Sequence, residues 1–166
     1  MRLNPITAAM FLSLALVQTA VQGGEPPSTV ALKRLTLPTA LKVAQGAMAE
    51  CTKKGIQIGV TVVDRDGNVQ VSLRDTIAAP ITAEISRMKA YTAVNFNAPT
   101  SALAERAKTP LGQVDGLLMI PGGVPIEAGG SLIGGVGVSG SPLSETDEAC
   151  AKAGVDAVLP DLEMEM

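Results

Sequence analysis

Apolar residues recur at two different spacings along this chain, and the spacing changes where glycine and proline fall. Leu37, Leu41, Ala44, Met48 and Cys51 are separated by steps of four, three, four and three. That period predicts a helix with one buried stripe. Thr36 stands at its N-cap and Pro38 in its first turn. Gly55 stops it, after Lys53 and Lys54, which suit the negative end of a helix. From Ile56 to Asp64 the period becomes two, with Ile56, Ile58, Val60 and Val62 on one face. Val69, Val71 and Leu73 repeat that alternation. Asp66-Gly67 between the runs predicts a hairpin with a two-residue turn. Such a turn sets Val62 opposite Val71, Val60 opposite Leu73 and Gly59 opposite Arg74, so apolar meets apolar on one face.

Helical spacing returns from Pro80 to Phe96, with Ile81, Ile85, Met88 and Thr92 as the expected inner stripe. Pro99-Thr100 predicts a short helix through Lys108, capped by Thr100. Gly116 to Ile120 reads as an apolar strand, Ile126 begins another, and Ser131 to Ser139 forms a glycine-rich one. On that last strand Leu132, Val136 and Val138 share one face. Ser131, Gly135, Gly137 and Ser139 share the other, with Ile133 its only large member. A face so bare lets a packed helix or a ligand approach the backbone. Ser144-Glu145-Thr146-Asp147 starts a final helix with acids in its first turn, ended or kinked by Gly154 near Ala153. Leu159 to Met166 reads as a frayed acidic tail. The order α-β-β-α-α-β-β-β-α is rich in hairpin connections. It predicts an α+β sandwich with helices on the faces of an antiparallel sheet of about five strands.

The start of the chain has a different character. Arg2 precedes an apolar run from Ile6 to Val21, and Val21 and Gly23 occupy −3 and −1 of a cleavage site after Gly23. This is the pattern of a secretory signal peptide. The expected division is residues 1–23 as signal peptide, 24–34 as linker, 35–158 as one domain and 159–166 as tail. The mature protein is expected in the periplasm or outside the cell, with no stable membrane insertion. Cys51 and Cys150 form an even pair in such an oxidising compartment, so they are either a disulfide or two small buried hydrophobes.

Composition narrows the chemistry. The formal charge is −3, and no basic run occurs, which argues against nucleic acid as a partner. The 166 residues include no histidine and no tryptophan, one tyrosine and two phenylalanines. The commonest general base and metal ligand is therefore missing. No Ser-His or Cys-His pair, metal-ligand spacing or dinucleotide motif is present. Arg74 points away from the apolar hairpin face and has the room left by Gly59 to bind a carboxylate, or is simply solvated. Gly122-Gly123-Val124-Pro125 is either a sharp turn or a loop whose amides hold an anion. Asp64 and Asp66 read as turn formers.

Several ordered segments carry a family resemblance. They are Val62-Val63-Asp64-Arg65-Asp66-Gly67, Ser86-Arg87-Met88-Lys89-Ala90-Tyr91-Thr92-Ala93, Pro99-Thr100, Gly122-Gly123-Val124-Pro125-Ile126 and Ile133-Gly134-Gly135-Val136-Gly137-Val138-Ser139-Gly140. Together they resemble the GlcG/HbpS-like family from about Leu35 to Val158. The resemblance implies a profilin-like fold with a five-stranded antiparallel sheet, and homo-oligomers. Members include extracellular haem-binding proteins, a domain attached to corrinoid adenosyltransferases, and proteins encoded beside glycolate oxidation genes. Histidine ligation of haem, known in part of the family, is impossible here. The remaining iron donors are Tyr91, Met88, Met119, Lys89 or a reduced cysteine. Lys89, in the family's Lys-Ala-x-Thr-Ala motif, is also suited to pairing with a carboxylate or propionate.

The expected function is an exported, homo-oligomeric small-ligand-binding protein that takes haem, for sequestration or sensing. The ligand site is expected at Arg74, Lys89, Tyr91, Gly122, Gly123 and Pro125. Two alternatives stand beside it: an enzyme or accessory protein acting on a small carboxylate, and a structural oligomer without ligand.

Overall fold

The computed structural model describes residues 27–166, of which Leu32–Met166 form one compact unit. The expected signal peptide lies outside the described residues. The elements are α1 (Leu37–Lys53), β1 (Gly59–Asp64), β2 (Val69–Arg74), α2 (Ile81–Phe96), β3 (Gly123–Ala128), β4 (Ser131–Ser139), α3 (Ser144–Asp156) and α4 (Leu159–Met164). Four strands form one antiparallel sheet in the order β2-β1-β4-β3. Helix α2 covers one face, and α1 with α3 covers the other.

The first hairpin keeps the expected pairs, Gly59 with Arg74, Val60 with Leu73 and Val62 with Val71. Its turn is one residue longer than expected. Val63 pairs with Val69, so Gln70 is an extra residue in β2. The Gly67 N–H donates to the Asp64 carbonyl, and Gly67 has a φ of 86°. A three-residue turn ending in a left-handed glycine matches the one-residue bulge beside it.

The bare face of β4 is occupied by α2. A Cβ on Gly137 would lie 2.0 Å from the Ser86 carbonyl oxygen, and one on Gly135 would lie 2.5 Å from Val94 Cγ2. The glycines are therefore used for close helix–sheet packing rather than for a ligand. This also rotates α2 away from the expected orientation. With the helix so near the sheet, only small side chains fit between them. Its buried face is Thr82, Ser86, Lys89, Ala90, Thr92, Ala93 and Val94. Ile81 is 58% exposed, and Ile85 and Met88 are only half-buried. A second bulge leaves Ile133 as an extra residue in β4, opposite the Ile126–Glu127 step of β3, and exchanges two neighbours on β4. Ile133 joins the large core with Val136 and Val138, while Leu132 packs against the Val63, Ala90 and Val94 cluster under α2.

The opposite face holds the main core: Val60, Val62, Val71, Val136 and Val138 from the sheet against Ala40, Val43, Ala44, Ala47 and Cys51 of α1 and Cys150, Ala151 and Val155 of α3. Thr36 caps α1 as expected, accepting from the Thr39 amide. Leu37 and Leu41 are exposed, so the small-residue stripe is the buried one. The reason is the closeness of α3: a Cβ on Gly154 would stand 2.4 Å from the Val43 carbonyl oxygen. Gly154 thus lies within α3, which runs on to Asp156, and serves as a helix-crossing contact. Beside it, Cys51 and Cys150 are joined in a disulfide with their Cα atoms 5.6 Å apart.

Three further expectations are corrected. Gly116 to Ile120 is not a strand; the Leu118 amide donates to the Thr92 hydroxyl instead of to a sheet neighbour (2.8 Å). Hence four strands replace five. The expected helix from Thr100 is a series of short 3-10 turns, and Thr100 lies inside the first of them rather than capping it. Leu159 to Met164 is helical, and beyond it the Met166 side chain packs on Gly129 while Lys33 Nζ donates to Met166 Sδ (3.1 Å). Among the described residues, no helix is long and apolar enough to cross a membrane.

Candidate functional site

Helix α2 buries a row of polar groups at three-residue spacing, and each finds a partner. Ser86 exchanges a hydrogen bond with Thr61 of β1 (2.8 Å). Thr92 accepts from the Leu118 amide and donates to the Met88 carbonyl (2.8 Å each). Between them Lys89 is 1% exposed. Its Nζ donates to the Val138 carbonyl and to Asp147 Oδ2, both at 2.9 Å. Asp147 also accepts from the Ser141 amide (2.9 Å). Burial pushes the Asp147 carboxyl above the ordinary aspartate range, against the opposing pull of Lys89 and the amides of Ser141 and Gly140.

The lysine passes beneath Gly122. A Cβ there would stand 2.5 Å from Lys89 Nζ, and the residue has a φ of 128°. Both facts require glycine. Lys89, Gly122 and Gly123 lie together as interlocking structural parts with the cation turned inward. The Gly123 amide donates to the Thr100 hydroxyl (2.8 Å).

The loop's remaining amide does hold an anion, supplied by the chain itself. Glu148 Oε2 accepts from the Gly122 amide at 3.0 Å and the Ser101 amide at 3.1 Å. The Thr100 hydroxyl lies 3.5 Å from the same oxygen, and Ser101 Oγ donates to Glu148 Oε1. Glu148 was not singled out by sequence reasoning. The Glu-Thr-Asp-Glu run read only as a helix start, and its partners lie 26 and 47 residues away.

Glu148 also lines an open groove between α3, the edge strand β3 and the Pro99 turn. Two adjoining cavities of about 250 and 320 Å³ share Pro99, Val124 and Lys152. The walls are mainly apolar, with Pro121 and Ala149 at one end and Pro125 and Leu159 at the other. The rim is charged: Lys152 pairs with Asp156 (2.8 Å), and Glu145, Glu148 and Glu127 also line it. Pro125 thus does line a concave surface, as an edge-strand residue that needs no amide for pairing.

Arg74 and Tyr91 stand elsewhere. Arg74 Nη1 donates to the carbonyls of Asp75 and Ala78 and clasps the loop before α2. The Tyr91 ring lies on Gly67, where a Cβ would be 2.6 Å from Cδ2, so it packs against the first hairpin turn. In that turn Asp64 behaves as expected. It accepts from the amides of Asp66 and Asn68 and from Arg34. Burial would raise its carboxyl, but the Asn68 and Asp66 hydrogen bonds and the Arg34 charge outweigh burial and hold it below the ordinary range. Of the other iron donors considered, Met119 is buried, Met88 is half-buried and both cysteines are consumed by the disulfide. Among the described residues, no cluster of three or more acidic or cysteine side chains could hold a metal ion.

Known proteins share this fold. Residues 35–156 match the family model described as "Haem degrading protein HbpS-like". A double mutant of HbpS from Streptomyces reticuli superposes with a TM-score of 0.75 at 38% identity, over 87% of this chain and 98% of that one. An uncharacterised 15.0 kDa protein of the dhaT-dhaS intergenic region in Citrobacter freundii is 32% identical over 130 residues, 74% of this chain and 90% of that protein. The structure of a PduOC–haem complex shares the fold, with a TM-score of 0.69 at 24% identity, over 75% of this chain and 94% of that one. With most of its length matched by the family model, the chain belongs to the HbpS-like family.

Proposed function

We infer that this protein is an exported, homo-oligomeric haem-binding protein whose ligand lies in the groove between α3, β3 and the Pro99 turn. The observation that carries this reading is the groove itself: an open trough of mainly apolar surface, with Lys152 among carboxylates on its rim, in a chain of the HbpS-like family. A flat porphyrin suits the walls formed by Pro99, Val124, Pro125 and Leu159, and Lys152 is placed to meet a propionate. The groove offers no imidazole, thiolate or thioether from its lining residues. Binding therefore relies on apolar contact and charge. The iron would be left to an oxygen donor such as Glu148. This favours capture and release of haem over a permanently bound group.

Export is supported by the leader pattern of residues 1–23 and by the Cys51–Cys150 disulfide, which suits an oxidising compartment. Self-association is supported by the outer stripe of α2. Ile81, Ile85 and Met88 recur at helical spacing yet face away from the sheet.

The direct test is a haemin titration of the purified protein followed in the visible spectrum. A saturable Soret shift at one haem or fewer per subunit is the expected result. Unsaturable absorbance would remove haem, leaving a structural oligomer or a small-carboxylate protein.

A further inference from the structure

We propose that the groove is also a binding site for a small monocarboxylic acid with an apolar tail, whose carboxylate takes the place of Glu148 on the Gly122 and Ser101 donors.

The donors define the chemistry. The amides of Gly122 and Ser101 and the Ser101 hydroxyl converge on one carboxylate. Amides and a hydroxyl converging in this way hold a carboxylate by charge-assisted hydrogen bonds. They are held from behind. Gly122 is fixed over Lys89, and Thr100, next to Ser101, is fixed to the Gly123 amide. The cradle thus keeps its shape whichever carboxylate fills it.

The position of Glu148 makes exchange feasible. It is half-buried and forms part of the wall of the 250 Å³ cavity, so a second carboxylate reaches the same donors from the groove. An apolar tail would then rest on Pro99, Pro121, Val124 and Ala149. The displaced Glu148 has an alternative partner. Lys152 lies four residues further along α3 on the same groove, and Glu before Lys at that spacing is a favourable helix pair. Lys152 is held at present by the exposed Asp156, a contact that solvent weakens. Glu148 therefore has two sets of partners within reach, the cradle and Lys152. The incoming acid selects the second.

The test uses isotopically labelled full-length protein and benzoate, with benzamide as its uncharged counterpart, read by amide chemical shifts. Benzoate is expected to shift the Gly122 and Ser101 amides saturably, and benzamide is not. In Glu148→Ala the internal competitor is gone, and benzoate should bind at least about tenfold tighter, the equivalent of one charged hydrogen-bond partner. In Lys152→Gln the displaced Glu148 loses its second partner, and affinity should fall about two- to fivefold, the scale of a helix ion pair and its rim charge. If Glu148→Ala does not fold, the wild-type and Lys152→Gln titrations decide alone. Equal effects of benzoate and benzamide, or shifts that spare Gly122 and Ser101, would overturn the proposal. Porphyrin propionates carry the same group. If haemin shifts those amides and benzoate does not, the cradle serves a propionate and the small-acid site is refuted. Because the readout is amide shifts and not a Soret band, its failure and the failure of haem binding are separable.

Discussion

Lys89 of α2 and Asp147 of α3 meet at 2.9 Å although their helices pack on opposite faces of the sheet. The lysine reaches its partner at the sheet's end, under Gly122, where any side chain would collide with it. The lysine of the Lys-Ala-x-Thr-Ala segment is thus a bolt between two layers. Removing one partner leaves the other buried and unpaired. Lys89→Met is expected to cost about 3–5 kcal/mol, and Lys89→Met with Asp147→Leu less than the single change. Urea unfolding of both variants checks the order.

The same pair gives a pH test. The Asp147 carboxyl is raised by burial, so the folded state holds its proton to a higher pH than the unfolded chain. That contribution favours the fold at low pH and is lost as pH rises through the folded value. Without Lys89 the rise is larger. Lys89→Met is therefore expected to gain stability on acidification from pH 7 to about 5. A flat profile would refute this.

Asp64 has the opposite sign. Its folded value is depressed, so its contribution is present above the unfolded value of about 3.9 and is lost as pH falls through the folded value. In Asp64→Asn this acid-side fall in melting temperature should be shallower, as read from melting curves between about pH 2 and 5.

The disulfide closes a loop between residues 99 apart and ties α1 to α3. Chain-entropy reasoning puts its contribution near 4.7 kcal/mol. Cys51→Ala with Cys150→Ala should lower the denaturation midpoint accordingly. Both cysteines are fully buried, so reductant should act on the native protein only at the rate of opening.

The tight contact of β4 with α2 predicts that Gly137→Ala is costly. Its methyl would lie 2.0 Å from a backbone oxygen that cannot move alone. A loss of about 3 kcal/mol or more is expected in chemical denaturation, at the upper end for overpacking.

The local pattern was readable wherever it set the backbone. The α1 cap at Thr36, the Val62–Val71 register and the long glycine strand are all present. The faces of the helices were less readable, because hydrophobic period alone assumes that large residues turn inward. Here Gly135, Gly137 and Gly154 bring backbones so close that small and polar residues are buried and Ile81 is left outside. The bulges at Gln70 and Ile133 depend on pairing with another strand, so no local signal announces them. The residues around the candidate groove were legible only in part. Gly122, Gly123 and Pro125 lie at or beside the groove, whereas Arg74 and Tyr91 serve the loop before α2 and the first turn. Glu148 was hidden because its donors come from distant segments.

Ala149 gives the most direct test of where haem binds. It is exposed on α3 and lines the groove, so Ala149→Glu places a charge there without touching the core. Haemin titrations would be compared for the wild type, Ala149→Glu and Tyr91→Phe. A saturable Soret shift that is lost in Ala149→Glu and kept in Tyr91→Phe is the expected result. A shift unchanged by Ala149→Glu, or lost in Tyr91→Phe, would contradict the groove as the haem site.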